Sequence, residues 1–164
     1  MIKRFFIALA VLIALYGCLK DTYSSSQQCN YDPCAVKAPD AEIQNVKKYV
    51  DSIGVTATQH CSGLFYKVDD GGTGTAPNAC SSVTVTYKGS LTNGTVFDQT
   101  QSGQTYSNYL GNLIRGWING LPYIKAGGKI RLYIPPSLGY GSQANGSIPA
   151  NSILIFEIDL VAVQ

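Results

Sequence analysis

The sequence predicts an α+β domain in which an antiparallel β-sheet carries one short α-helix on a face. Three observations lead there. From Gly63 onward, segments alternate apolar with polar residues, the pattern of half-buried strands. A single stretch among them, Ile114 to Tyr123, places Ile114, Trp117, Ile118 and Leu121 on one helical face. Charged residues make up only 13% of the chain, while Gly, Ser, Thr, Asn and Tyr are plentiful, a composition suited to a sheet with many turns.

The 164 residues give room for one domain with short appendages. Twelve Lys and Arg against ten Asp and Glu leave a net charge of +2, which offers no electrostatic footprint for nucleic acid. Residues 1–17 stand apart from the domain. Lys3 and Arg4 precede an unbroken apolar run from Phe5 to Tyr16, too short to cross a hydrocarbon core of about 30 Å as a helix. The run reads as the apolar region of an export signal. Leu15-Tyr16-Gly17-Cys18 then resembles a bacterial lipobox, so the expectation is cleavage and lipidation at Cys18, which would hold the protein to a membrane of the cell envelope.

Residues 18–40 are rich in Ser, Gln, Asn, Asp and Pro without apolar periodicity, and are expected to be a flexible tether. Within residues 41–62, Ile43, Val46, Val50 and Ile53 recur at helical spacing and Gly54 marks a stop. This predicts a short helix packed on the domain, followed by a connector, with no room for a long dimerising segment; a monomer is expected.

With Cys18 set aside, Cys29, Cys34, Cys61 and Cys80 remain. An even number in an exported chain favours disulfides, with three pairings open. Cys29–Cys34 and Cys61–Cys80 are preferred, one pair lying in the tail and the other flanking the first strand. A zinc site is the competing reading, but there is no Cys-x-x-Cys and the spacing is irregular. No metal is therefore expected. His60, the single His, is expected to be a solvated turn residue.

Leu64, Tyr66 and Val68 alternate with Phe65 and Lys67 before the Gly71-Gly72-Thr73-Gly74 break. That glycine cluster lacks the following Gly-Lys-Ser or Gly-Lys-Thr of a phosphate loop and reads as a turn. Val83, Val85 and Tyr87 alternate with Thr84, Thr86 and Lys88. Asn93-Gly94 signals a hairpin that returns through Thr95 to Asp98. After the helical stretch, closed by Gly127-Gly128, two further strands carry Ile130, Leu132 and Ile134, then Leu154, Phe156, Ile158 and Leu160.

Five of these segments stand together in the order of one family. They are Val83-Thr84-Val85-Thr86-Tyr87-Lys88-Gly89, Asn93-Gly94-Thr95-Val96-Phe97-Asp98, Leu110-Gly111-Asn112-Leu113-Ile114-Arg115-Gly116-Trp117, Pro136-Ser137-Leu138-Gly139-Tyr140-Gly141 and Ile148-Pro149-Ala150-Asn151-Ser152-Ile153-Leu154-Ile155-Phe156. Over residues 63–164 the chain resembles the FKBP-type peptidyl-prolyl cis-trans isomerases. The resemblance implies a twisted antiparallel β-sheet wrapped around one short α-helix. It implies an apolar wall at Tyr87, Phe97, Tyr106, Leu113, Ile114, Ile148 and Phe156, a floor at Trp117, and polar positions at Asp98 and Tyr140. The Tyr140 O–H and the Ile114 backbone N–H are expected to bind substrate carbonyls. Two positions depart from the family pattern: Tyr106 replaces a Phe or smaller apolar residue, and Asn108 stands where many members keep an apolar side chain. The loop from Gly141 to Ile148 is too short for an inserted chaperone domain.

The resemblance implies rotation of X–Pro bonds in exported proteins, with no cofactor, acting on proline-containing polypeptides and open to tacrolimus-type macrolides. The alternative is a non-catalytic proline-segment-binding or chaperone module on a surface lipoprotein; a purely adhesive lipoprotein would leave the five segments unexplained. No other enzyme class fits, because a single His with no nucleophile motif beside it makes no Ser-His or Cys-His scheme.

Overall fold

The structure, a computed structural model, describes residues 29–164. The expected export signal, the lipidation site at Cys18 and the tether as far as residue 28 lie outside the described residues. Helix α1 spans Asp40–Ser52 and buries Ile43, Val46 and Val50, three of the four periodic residues. The fourth, Ile53, falls at the C-terminal cap and is exposed, and Gly54 ends the helix in the left-handed region at φ 67°. Strands follow at Thr58–Gln59 (β1), Phe65–Asp70 (β2), Ser82–Leu91 (β3), Val96–Gln99 (β4) and Tyr106–Tyr109 (β5). Helix α2, Arg115–Gly120, continues into a 3₁₀ turn at Leu121–Tyr123, and strands β6 (Lys129–Ile134) and β7 (Leu154–Val163) complete the chain.

All seven strands form one antiparallel sheet in the order β1-β2-β6-β7-β3-β4, and β5 pairs with β3 beside β4. The outer edge of β3 is thus shared. Its first half takes β5, with Val85 opposite Tyr106, and its second half takes β4, with Gly89 opposite Asp98. The β3–β4 connection is the hairpin expected at Asn93-Gly94: the Leu91 N–H donates to the Thr95 carbonyl at 2.9 Å, and Gly94 sits at φ 84°.

One sheet face closes on α2. Ile130, Leu132 and Ile134 of β6 and Leu154, Phe156, Ile158 and Leu160 of β7 are buried there as the alternation predicted. The helix lies close on them: a Cβ on Gly116 would meet the Ile134 side chain at 2.5 Å, and one on Gly120 would meet Leu132 Cδ2 at 2.5 Å. The opposite face is covered as well. Register aligns Phe65, Tyr133 and Ile155 across β2, β6 and β7, and all three are buried. Helix α1 packs on this side, its Tyr49 ring 6.3 Å from that of Tyr133. The alternation expected from Leu64 to Val68 accordingly breaks, since Leu64, just before β2, and Phe65 are both buried while Val68 is exposed.

The tether expectation fails for residues 29–39, which are fastened to the domain. The Ala38 N–H donates to the Ser62 carbonyl at 2.8 Å and Ala38 is buried. The Tyr31 hydroxyl donates to Asn119 Oδ1 on α2 at 2.7 Å. This course also overturns the preferred disulfide pairing. The bridges are Cys29–Cys80, with Cα atoms 5.7 Å apart, and Cys34–Cys61, at 5.5 Å, both ordinary spans. The physical reason is that the segment runs extended along the domain, so each tail cysteine meets a cysteine of the body. Local pairing would require the tail to fold on itself.

His60 is likewise not solvated but 6% exposed. Its Nδ1 accepts from the Ser62 backbone N–H at 3.1 Å, and its burial lowers its pKa below the usual histidine range. Among the described residues, no helix is long and apolar enough to cross a membrane.

Candidate active site

A cleft of about 190 Å³ opens between α2 and the strands, lined by Tyr87, Asp98, Tyr106, Leu113, Ile114, Trp117, Tyr140 and Phe156. Each wall follows from a local feature of the chain. Trp117, third residue of α2, is only 4% exposed and forms the floor. Phe156 comes from β7 and Tyr87 from β3, and their rings stand at 85° and 82° to the indole, 5.2 and 5.3 Å away. These are edge-to-face contacts, the favoured geometry for aromatic pairs.

Gly89 makes the wall possible. A Cβ there would meet the Phe97 ring at 2.7 Å and the Phe156 ring at 2.8 Å, so only glycine lets both rings lie on β3. Phe97 packs edge-on against Phe156 at 5.5 Å and supports it, without itself lining the cleft. Ile148, also assigned to the wall from the sequence, is buried in the loop after Gly141, where it bridges to Asn145, and does not line the cleft. The remaining eight assigned positions come together.

The polar groups gather on one side. The Tyr87 hydroxyl donates to Asp98 Oδ2 at 2.5 Å, a short charge-assisted bond. Burial first, and then the Asp98 carboxylate, pushes the Tyr87 phenol well above its ordinary pKa. The Tyr140 phenol is raised too, by burial and then by Asp98 and Tyr106. Both stay protonated at neutral pH. Tyr140 is presented by a tight turn, in which the Gly141 N–H donates to the Pro136 carbonyl at 2.8 Å and Gly141 takes φ 67°. Glu42 of α1 steadies the start of that turn by accepting from the Ser137 N–H at 2.9 Å.

Ile114 is the residue before the first turn of α2, with φ −61° and ψ 149°, and its N–H donates to no other described residue. The indole Nε1 of Trp117 is buried without a hydrogen-bond partner among the described residues. The cleft therefore combines an apolar floor and walls with free N–H and O–H donors. Among the described residues its lining contributes one carboxylate and no Ser, Thr, Cys, Lys or His side chain.

The sequence did not reveal two features of this site. One is the bond between Tyr87 and Asp98, eleven residues apart and joined by the β3–β4 pairing. The other is the part played by Asn108, whose Nδ2 donates to the Tyr106 hydroxyl at 2.6 Å. Its polar character, at a position where the resemblance leads one to expect an apolar side chain, was the only signal available.

The chain matches the sequence model described as "FKBP-type peptidyl-prolyl cis-trans isomerase" over residues 73–161. It is 48% identical over 121 residues to the FKBP-type peptidyl-prolyl cis-trans isomerase FkpA of Buchnera aphidicola subsp. Schizaphis graminum, covering 73% of this chain and 47% of that protein. With FkpA of Escherichia coli K12 it shares 41% identity over 119 residues, or 72% of this chain and 43% of that one. The chain thus spans about half the length of the curated relatives it matches.

Among solved structures, the crystal structure of FkpA from Escherichia coli superposes with a TM-score of 0.69 at 38% identity, over 76% of this chain and 60% of that one. A peptidyl-prolyl cis-trans isomerase from Pseudomonas syringae pv. tomato gives a TM-score of 0.66 at 31% identity, over 79% of this chain and 98% of that one. The matched stretch contains β3 through β6, β7 as far as residue 161, and every lining residue of the cleft, and on that agreement this chain belongs to the FKBP-type peptidyl-prolyl cis-trans isomerase family.

Proposed function

We propose that this chain accelerates rotation about X–Pro peptide bonds in exported polypeptides. The observation that carries the reading is the cleft itself: an apolar aromatic pocket bordered by unengaged donors, with no nucleophile. An X–Pro bond rotates slowly because twisting it breaks amide resonance, a barrier of about 18–20 kcal/mol. No bond is made or cleaved, so the protein has only to bind the twisted amide better than the planar ones.

The side chains divide that task. Trp117, Phe156 and Tyr87 enclose the proline ring. The Tyr140 O–H and the Ile114 N–H hold carbonyls of the chain on either side, which fixes the segment while the bond between turns. Asp98 holds the Tyr87 phenol in place and puts negative potential beside the rotating carbonyl carbon. Expelling water from the pocket removes the medium that favours the polar planar amide, replacing it with fixed donors.

The wider setting is part of the same proposal. Lys3, Arg4, the apolar run to Tyr16 and Cys18 support export, lipidation and attachment to the cell envelope. The protein works there as a monomer on proline-containing polypeptides, and tacrolimus-type macrolides compete for the cleft. Fractionation of cells expressing Cys18→Ser tests the anchor, which requires the variant to leave the membrane fraction.

The test of the activity is the cis-to-trans rate of a short X–Pro peptide with the purified chain and with a Tyr140→Phe, Asp98→Ala double variant. Acceleration by the wild type and its collapse in the variant are expected. A folded wild type that binds such peptides without speeding the exchange would reduce the domain to a holdase for proline segments.

A further inference from the structure

The rim of the cleft holds three phenols, and their hydrogen-bond directions differ in a way that the positions alone do not reveal. Tyr87 donates its proton to Asp98, which as a carboxylate only accepts. That donor is used up. Tyr140 makes no hydrogen bond to another described residue. Tyr106 is settled by its neighbour. The backbone N–H of Tyr109 can only donate, and it donates to Asn108 Oδ1 at 2.8 Å. This fixes which end of the Asn108 amide is oxygen, so the other end, Nδ2, must be the donor to the Tyr106 hydroxyl at 2.6 Å. The phenol oxygen of Tyr106 is therefore an acceptor in this pair, and its own proton is left over.

Conjugation with the ring keeps a phenolic O–H in the ring plane, with two opposed in-plane directions. Asn108 occupies one, which leaves the proton in the other. Accepting a bond also makes the phenol a better donor, since chained hydrogen bonds polarise one another. Tyr106 lines the cleft and is 36% exposed, its ring 5.9 Å from that of Tyr87. It stands on β5, at the edge of the sheet, and is far more exposed than the indole floor.

We infer that Tyr106, oriented by Asn108, is an additional donor that grips a backbone carbonyl of the bound polypeptide beyond the X–Pro unit. The site thereby prefers extended segments over minimal proline peptides. The inference rests on the cleft being a proline-segment site, as proposed above. Asn108 is a positioning residue: it touches no substrate and acts by leaving the Tyr106 proton free. Among the described residues, Asp98 is the only charged side chain lining the cleft, so the preferred segments carry neutral or basic residues next to the proline, not acidic ones.

The test uses Trp117, the single tryptophan of the chain, as reporter. Its fluorescence is titrated with a minimal neutral X–Pro peptide and with one extended by several residues on each side; kcat and KM are measured for both. Tyr106→Phe keeps the ring and deletes the donor. It is expected to raise Kd and KM for the extended peptide by about threefold to tenfold, the value of one hydrogen bond, and by clearly less for the minimal peptide. Asn108→Asp is the sharper variant, because a carboxylate accepts the Tyr106 proton and removes the donor while the phenol stays. It should reproduce the Tyr106→Phe loss and add nothing to it in the double variant.

An equal loss of affinity for both lengths in Tyr106→Phe, or full additivity of the two substitutions, overturns the inference. Wild type that binds extended peptides more tightly through Tyr106 but does not accelerate exchange would sink the isomerase proposal and leave this contact standing. Accelerated exchange with no effect of Tyr106→Phe would do the reverse.

Discussion

The two disulfides are nested, with Cys34–Cys61 closing 27 residues inside the 51 closed by Cys29–Cys80, and this nesting has a measurable consequence. In the chain-entropy model, the inner bridge alone stabilises the fold by about 3.6 kcal/mol and the outer alone by about 4.1 kcal/mol. Once the inner bridge is formed, the path closed by the outer one shortens to about 24 residues, 51 less the 27 already closed, and its contribution falls to about 3.4 kcal/mol. Removing Cys29 and Cys80 together should thus cost about 0.7 kcal/mol less with Cys34–Cys61 intact than without it. Urea unfolding of the four combinations measures this coupling directly. Cys29→Ser and Cys80→Ser taken singly should match each other and their double variant. Local pairing makes a different forecast: Cys29→Ser would open a loop of about five residues, worth about 2 kcal/mol, and Cys80→Ser would open a separate one, worth about 3.2 kcal/mol. Unequal single losses that add in the double would refute the nested arrangement, and with it the idea that residues 29–39 are stapled to the body.

Other predictions concern the site and its supports. Gly89→Ala drives a methyl into the Phe97 and Phe156 rings and should lower isomerase activity and shift Trp117 fluorescence, both measurable against wild type. Tyr31→Phe leaves the buried Asn119 oxygen without its donor and should destabilise the protein by about 1–3 kcal/mol, checked by urea midpoint. His60 has a lowered pKa when folded, so the unfolded chain takes up its proton first as pH falls. Stability should therefore drop below about pH 6.5, and His60→Gln should remove that part of the slope in thermal melts across the range. The raised Tyr140 phenol stays protonated past its usual range, so isomerase activity should show no phenolic loss up to about pH 10 in a pH–rate profile.

What could be read in the sequence was what repeats locally. The faces of α1, β6 and β7 followed from apolar spacing because each element buries one side against a neighbour. The Asn93-Gly94 turn followed from its need for positive φ. Strand β5, Tyr-Ser-Asn-Tyr, has no apolar alternation to announce it and exists because the edge of β3 offers a ladder, from Ser82 opposite Tyr109 to Val85 opposite Tyr106. The docking of residues 29–39 was hidden for a related reason. Besides the two bridges, the Tyr31 hydroxyl and the Ala38 backbone N–H anchor it, and their partners lie far along the chain, at Asn119 and Ser62. Of the site, the residue types were legible and the hydrogen-bond directions were not. Nothing in the order of Tyr87, Asp98, Tyr106 and Asn108 says which phenol gives its proton to the protein and which keeps it.

The strand order also sets a schedule for assembly. Strand β7, last of the described strands, lies between β6 and β3, so those two do not pair and the sheet joins them only through it. Before residues 154–163 arrive, the chain holds two fragments, β1-β2-β6 on one side and β3-β4-β5 on the other, each exposing an unpaired inner edge. The floor and opposing walls of the cleft belong to different fragments and to β7 itself, so a partly built domain has no working pocket. Folding is expected to be all-or-none and paced by long-range pairing, and a chain clipped before Leu154 should be inactive and prone to stick to itself along both open edges.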